Sequence, residues 1–408
     1  MNVASGLPES SALEAAPLNV STPASAPGER RLTSAPRDAV RVGEILARVQ
    51  SGERLTRADA LVLFTDANLL ELGLAADAVR KRLHDPGRVT FQVDRNINYT
   101  NVCIYRCTFC AFYRPAGHDE GYVLPLDEIG RKVQETLDLG GTGVLLQGGV
   151  HAELPFQFYV DVLNFLRKEF PGIHRHAFSA PEIFFLAKKE KTSIADVLAR
   201  LKDAGLMSVP GGGAEILDDD VRRRIWALAK APTSKWAEVH REAHRLGLPT
   251  TATMMFGVDE SLEQRLNHLD VVRSLQDESL ERGAQSFTAF IPWTFQEENT
   301  VLDGTVETAG GAEYLKTLAL ARLYLDNVPH VQGSWLTQGK KIGQLSLFFG
   351  ADDLGSIMIE ENVVAAAGSH NRTTRDEMVE LIHDAGFAAK QRGSVYERCS
   401  EPCCAGVR

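Results

Sequence analysis

The stretch Asn96-Ile-Asn-Tyr-Thr-Asn-Val-Cys103-Ile-Tyr-Arg-Cys107-Thr-Phe-Cys110 governs how the rest of the chain is read. Its cysteines follow the spacing C-x3-C-x2-C, in a chain with six cysteines in all. A closed structural zinc site takes four ligands, and no fourth Cys or His follows at finger spacing. Three thiolates fit a four-iron cluster with one iron left open, because cubane clusters are otherwise held by four cysteines. An open iron can bind and activate a second molecule. Cys103, Cys107 and Cys110 are therefore the candidate metal ligands. Three ordinary thiols, or a zinc loop completed from afar, are the competing readings.

Outward from this stretch the pattern is alternation. Short β-rich or Gly-flanked runs at 97–102, 143–147, 174–178, 206–209, 250–255, 284–291, 329–335 and 354–359 read as strands. Between them lie amphipathic helices near 126–139, 193–204, 234–246, 261–282, 311–326 and 338–349. Ile129, Val133 and Leu137 stripe the first of these, with Gly140 just past its end. Strand–helix alternation implies a parallel sheet, and eight such units predict an α/β fold of the (β/α)8 TIM-barrel type. Upstream, 38–84 reads as helices: Val42, Ile45, Leu46 and Val49 share a face, Thr56 and Asp59 form a capping box, and Leu69, Leu70, Leu72 and Val79 carry a third helix. The expected organisation is a disordered tail over 1–36, a helical preface over 37–88, a core barrel over 89–330, barrel completion and helices over 331–392, and a flexible tail over 393–408.

In such a barrel chemistry gathers where strands end, and the unusual residues fall there. Gln147-Gly148-Gly149 follows the second strand and His151 comes next. Ser179-Ala-Pro-Glu182 follows the third; Pro181 and Glu182 suit a helix start, or Ser179 and Glu182 face the mouth. Pro210-Gly-Gly212-Gly213-Ala-Glu215 follows the fourth, and consecutive glycines suit backbone passing close to a ligand. Thr253 ends the fifth strand. After the sixth, Trp293 and Phe295 offer aromatic faces, with Gln296 and Asn299 to orient a substrate. Glu360-Glu361 follows the last strand and offers a base or a surface run. Arg114 and His118 lie just past the cysteine loop as substrate contacts. Cys399, Cys403 and Cys404 near the end read as free thiols.

Bulk properties restrict the class. Of 408 residues, 44% are hydrophobic and 24% charged, as in globular proteins. A net charge of −10 argues against a nucleic-acid binder. No apolar run is long enough to span a bilayer and no secretory signal is evident, so no membrane association is expected. Thiols at a cluster spacing imply a reducing, cytoplasmic compartment.

The cysteine loop resembles that of radical S-adenosylmethionine (radical SAM) enzymes, and Phe109 before the last cysteine strengthens the match. From about residue 38 to 390 the chain is similar to the futalosine-pathway branch of that family. That branch includes cyclic dehypoxanthinyl futalosine synthases, aminofutalosine synthases and deazaflavin coenzyme synthase subunits. The resemblance rests on 96–103, 110–114, Gln147-Gly-Gly149, the 210–217 loop, 290–295 and 358–362; the triple-glycine loop and Trp-Thr-Phe-Gln are most like the first of these enzymes. The acid often found after Gly149 is missing; Val150 stands there. The resemblance implies a [4Fe-4S] cluster and S-adenosyl-L-methionine as cofactors. It places Phe109, Tyr113, Gln147, Gly148, Gly149, Ser179 and Glu182 against SAM, and Arg114, His118, Gly212, Thr253, Trp293, Gln296 and Asn299 against substrate. It implies radical cyclisation of dehypoxanthine futalosine in menaquinone biosynthesis. A reductant such as flavodoxin or ferredoxin would serve it, and Glu215 or Glu361 would accept the final proton.

Overall fold

The computed structural model of the protein describes residues 38–396. The expected tail over 1–36 and Cys399, Cys403 and Cys404 lie outside the described residues. The chain opens with three helices, α1 (Ala39–Gln50), α2 (Arg57–Asp66) and α3 (Leu69–Leu83). Each starts on a side-chain cap: Asp38 accepts from the Arg41 amide, and Thr56/Asp59 and Asn68/Glu71 form capping boxes. Val42, Ile45, Leu46 and Val49 are buried as their spacing requires, whereas Leu70, expected on the third helix's apolar face, is exposed. Leu72, Ala75, Ala76 and Val79 face inward. Gly73 of α3 lies so near the barrel that a Cβ there would meet the Phe349 ring at 2.7 Å.

The barrel runs β1 (Arg88–Gln92), β2 (Asp94–Ile97), α4 (Leu126–Asp138), β3 (Gly143–Leu146), α5 (Phe156–Glu169), β4 (His174–Ala177), α6 (Ala180–Glu190), α7 (Ile194–Ala204), α8 (Asp219–Arg224), α9 (Thr233–Arg245), β5 (Thr250–Phe256), α10 (Leu262–Glu281), β6 (Phe287–Thr294), α11 (Gly311–Tyr324), β7 (His330–Val331), α12 (Trp335–Ser346), β8 (Asp353–Ser356), α13 (Arg375–Asp384) and β9 (Ala388–Gln391). All strand pairs are parallel. β1 and β2 are two halves of one bent first strand. β2 pairs with β3 and β3 with β4. Single bridges His176–Ser208 and Val209–Thr250 carry the ladder across a fourth position reduced to two residues. β5, β6 and β7 follow, and a Gln332–Asp353 bridge passes to β8. The ring closes on the first strand: β8 pairs with β1, then the amides of Ile357 and Ile359 donate to the carbonyls of Gln92 and Asp94, and the Asn96 amide to Glu360. This is a (β/α)8 TIM-type barrel with an N-terminal helical extension.

Several expectations shift. The first strand is 88–97, not 97–102; the latter residues form the extended lead into the cysteine loop. α5, α6 and α13 complete the helical layer, and α12 is kinked at Gly339, whose φ is +77°. β9 adds outside β1, and the chain then turns beneath the barrel instead of trailing away at 393. Ser394 Oγ accepts from Gln92 Nε2 at 2.7 Å, and the Tyr396 ring stacks on His330 at 3.6 Å. No helix among the described residues is long and apolar enough to cross a membrane.

Candidate active site

The cysteine loop is pinned on every side. The Cys103 amide donates to the Arg114 carbonyl at 2.9 Å and the Arg114 amide to Asn101 at 2.8 Å, which closes the loop on itself. The Thr108 amide donates to Ile225, and the Val301 amide donates to Thr108, at 3.2 and 3.0 Å. Cys107 is buried; Cys103 and Cys110 are half-buried. The Val150 amide donates to Cys103 Sγ at 3.4 Å, and Cys107 Sγ lies 3.7 Å from the Trp226 carbonyl. Burial raises the Cys103 thiol pKa and pushes that of Cys107 up to about 12, so a metal must expel protons as it binds.

The sulfurs also speak to which metal. A single tetrahedral zinc, with Zn–S near 2.3 Å, would draw its sulfurs to within about 4 Å of one another. Among the described residues, the trio whose ligand atoms all lie within 4.8 Å is instead His84, His330 and Asp352. That trio sits at the strands' N-terminal ends, where Arg322 already pairs with Asp352. Three thiols on one short loop, with no fourth Cys or His beside them among the described residues, fit a cubane cluster with an open corner.

The loop forms one rim of a cavity of about 400 Å³ that runs into the barrel. Cys103, Cys107, Cys110, Phe109, Tyr113, Gln147, Gly148, Gly149, Ser179, Gly212, Glu215, Thr253, Trp293 and Glu361 all line it. Its glycines are explained by protein neighbours before any ligand. A Cβ on Gly149 would lie 2.4 Å from the Val102 carbonyl oxygen, one on Gly211 2.6 Å from that of Thr251, and one on Gly213 2.3 Å from the Pro181 ring. Gly213 also has a φ of +82°.

The two proposed bases differ. Glu215 is buried, with a left-handed φ of +41°, and both its oxygens are engaged: Oε1 by Lys230 Nζ at 2.8 Å and Oε2 by Arg222 at 3.4 Å. Burial opposes the charge on Lys230, yet Glu215 and Cys107 hold its pKa above the usual value. Glu361 Oε1 accepts from the Val363 amide at 2.9 Å, while Oε2 accepts from Val364 and Ala365. Burial raises its pKa despite these bonds. Glu360 faces outward onto Lys132 at 2.7 Å.

Six side chains expected at the site do not line the cavity. Glu182 is spent behind it: its carboxylate accepts from the Ser179 amide at 2.7 Å, from Ser179 Oγ, from Tyr99 Oη and from the Gly148 amide at 3.3 Å. It caps α6 and braces the Gly148 turn instead of facing the mouth. Gln296 folds back onto the carbonyls of Thr294 and Phe295. Arg114, His118 and Asn299 border a separate outer cavity beside Cys110. Arg114 pairs there with Glu120 at 2.6 Å, and Asn299 donates to the Ala366 carbonyl at 3.0 Å. Phe295, expected to stack on substrate, is buried in the core.

The cavity floor was not foreseen. Strand alternation turns Gln92, Asp94, Asn96 and Asn98 inward as one polar row, and all four line the cavity. Asn96, Leu145 and His176 stand side by side across three strands. His176 Nδ1 bonds Ser208 Oγ at 2.6 Å, and burial lowers its pKa to about 3. Beneath, Arg392 pairs with Asp353 at 2.5 Å and donates to Gln92 at 3.0 Å. Polar residues at period two from Gln92 were the available signal.

Comparison with known proteins agrees with this geometry. A family model described as the radical SAM superfamily matches residues 97–272, and one described as the CofH/MqnC C-terminal region matches 284–403. The chain is 43% identical over 353 residues to a cyclic dehypoxanthine futalosine synthase of Halalkalibacterium halodurans, covering 86% of this chain and 94% of that one. It is 40% identical over 358 residues to an aminodeoxyfutalosine synthase of Thermus thermophilus, covering 86% and 94%. Among solved structures, methylornithine synthase superposes with a TM-score of 0.66 at 19% identity, over 85% of this chain and 97% of that one.

Proposed function

We infer the reaction from one premise: the chain belongs to the radical SAM superfamily, and is an enzyme that works with a [4Fe-4S] cluster and S-adenosylmethionine. The reading it supports is a cyclase of the futalosine pathway, converting dehypoxanthine futalosine to its cyclic product in menaquinone biosynthesis. The observation that carries it is the three-sulfur rim, with no fourth Cys beside it among the described residues, opening onto the barrel cavity. When bound, the cluster and SAM would supply a 5′-deoxyadenosyl radical for hydrogen abstraction from the substrate ribose, and closure of the substrate onto its own aromatic ring would be completed by loss of one proton and of one electron, returned to the redox partner.

The chain's own residues do the rest. Cys103, Cys107 and Cys110 hold the cluster. Gly148 and Gly149 present backbone to SAM, with Gln147 and Ser179 on the same wall and Phe109 and Tyr113 on the facing rim. Glu182 acts through Ser179 and Gly148, as a brace for that wall. Trp293 offers an aromatic face to the substrate ring, with Thr253 and Gly212 beside it. Fixing both reacting ends of one substrate in one cavity is worth up to ~7–11 kcal/mol. Glu361 is the better proton acceptor, because Glu215 is committed to Lys230 and Arg222; the proton goes to Oε1, which has one amide partner where Oε2 has two. A small redox protein of the flavodoxin or ferredoxin type supplies the electron, approaching the outer cavity that Cys110 borders.

The test is anaerobic turnover of the reconstituted enzyme with dehypoxanthine futalosine, beside a Cys107→Ala variant. Free 5′-deoxyadenosine with a ring-closed product is the expected result, absent in the variant. A covalent adenosyl adduct without 5′-deoxyadenosine would mean alkene addition, and would sink the cyclase reading.

A further inference from the structure

The carboxylates around the cavity are not equivalent. Glu215 has both oxygens engaged by cations, Glu361 both by amides, and Glu182 both by the α6 cap and the Gly148 turn. Asp94 differs. Its Oδ1 accepts from Ser356 Oγ, whose own oxygen is fixed by the Met358 amide at 2.8 Å. Its Oδ2 has no hydrogen-bond partner among the described residues, and Asp94 lines the cavity. The nearest charges leave the floor net negative: Asp94 and Asp353 face one Arg392, which is bound to Asp353 through Nε and Nη2 at 2.5 and 2.9 Å. One step up the same strand, Asn96 Oδ1 is taken by Asn98 while its Nδ2 has no partner among the described residues. Across the layer, His176 Nδ1 is held by Ser208, and His176 lines the same cavity.

A floor so built has an acceptor at Asp94, a donor at Asn96 and a neutral imidazole nitrogen at His176. Among the described residues, the floor's Arg392 is already bound to Asp353 and so is not free to take an anionic group. A carboxylate oxygen that faces a cavity with no protein donor takes its hydrogen bonds from water or from a ligand, and the ligand chemistry that supplies donors and takes bonds back is a set of neutral hydroxyls.

We propose that Asp94 is the substrate's hydroxyl-binding residue: Oδ2 accepts from a sugar hydroxyl, while Asn96 and His176 complete the grip on the sugar. This deepens the cyclase reading and rests on it, since that reading supplies the sugar. It sets polarity as well, with the hydroxyl-bearing part of the substrate down in the barrel and any anionic part turned away from the floor.

The experiment measures binding, not turnover. Affinity for dehypoxanthine futalosine is titrated calorimetrically on anaerobically reconstituted enzyme without reductant, for wild type, Asp94→Asn and Ser356→Ala, with a series of monodeoxy analogues. A hydrogen bond to a charged group of this strength predicts that Asp94→Asn weakens binding by roughly 10- to 100-fold. At least one deoxy analogue should bind wild type as poorly as the parent binds the variant, with no further loss in the variant.

The pH dependence gives a signature that a merely structural role would not. Burial raises the Asp94 pKa to about 6, against the Ser356 hydrogen bond and Arg392, with Asp353 reinforcing the rise. His176, the other titratable group on this face, stays neutral across that range. Wild-type affinity should therefore rise with pH through about 6, Asp94→Asn should be flat, and Ser356→Ala should move the midpoint upward by removing the bond that favours the carboxylate. Equal affinities of wild type and Asp94→Asn within twofold, or deoxy discrimination unchanged in the variant, would overturn the proposal and leave the cyclase reading standing. Wild type that cleaves SAM yet fails to bind dehypoxanthine futalosine would overturn both.

Discussion

Gly149→Ala tests whether the glycine pair serves the protein before it serves the cofactor. The new Cβ would sit 2.4 Å from the Val102 oxygen, 2.8 Å from its carbonyl carbon and 3.0 Å from Cys103 Cβ. Ordinary contact needs about 3.5 Å, so the backbone must give by roughly 1 Å. Gly149 cannot easily retreat, because its amide is held by the Thr100 carbonyl at 2.9 Å, on the same strand-end. The displaced residue is thus Cys103 itself. Overpacking of this kind costs about 1–3 kcal/mol, and here it falls on the geometry of one cluster ligand. Retention of the cluster should drop by roughly 5- to 150-fold, the Boltzmann equivalent of that cost. Iron and sulfide per chain after anaerobic reconstitution, and SAM cleavage under dithionite, read it directly. Gly172→Ala is the matched control, since a Cβ there meets nothing within 4 Å. Gly149→Ala with iron and cleavage both within twofold of wild type would refute the reasoning, and so would an equal loss in Gly172→Ala.

Further outcomes follow from the same site. Glu215→Ala should lower stability by about 3–5 kcal/mol in denaturant unfolding, by stranding buried Lys230, and Glu215→Ala/Lys230→Met should recover most of it. Glu182→Gln should weaken SAM binding by calorimetry, with a loss of about 1.5–3 kcal/mol shared between stability and affinity, although the side chain does not touch the cavity. Asp94→Asn should stabilise the enzyme at neutral pH. A carboxyl whose folded pKa is raised to about 6 costs stability as pH climbs from its unfolded value, near 4, through 6, and the cost persists above. Two pKa units are worth about 3 kcal/mol at most, so melting temperatures of wild type and variant should converge near pH 4 and diverge near pH 8.

The sequence disclosed what local chemistry dictates. Cysteine spacing singled out Cys103, Cys107 and Cys110 because a cubane needs its thiolates on one short loop, and the three line one cavity. Capping boxes at Thr56 and helix-period stripes such as Ile129/Val133 gave most helices, since those signals need no tertiary partner. Loops reaching the mouth were found by position alone, because a parallel barrel delivers every strand end to the same face. What failed was reach. Gln296 and Asn299 follow a strand as a site residue should, but their amides bond back to nearby or distant carbonyls, and no local pattern encodes that choice. Glu182 was equally ambiguous between cap and contact. The tertiary contacts of Tyr99 and Gly148 decided it.

The largest omission had one cause, and it connects the fold to the proposed floor. Placing the first strand at 97–102 left Gln92, Asp94 and Asn96 outside any element. The pairing of Asp94 with Gly143 and Asn96 with Leu145 moves that strand earlier and turns its polar face inward. Sequence reasoning resists this assignment because a barrel interior is expected to hold branched apolar side chains, and a polar row at period two normally faces solvent. Here apolar residues occupy the other face: Val89, Phe91, Val93 and Ile97 are buried against the helices. A strand with core on its outside and carboxylate and amides on its inside breaks the local rule at one face only. Such a break is expected where a ligand, not the chain, completes the hydrogen bonds. The stability that Asp94 withholds above pH 6 is therefore the quantity to weigh against its contribution to substrate affinity: if removing its charge changed neither, the polar strand would have no physical account.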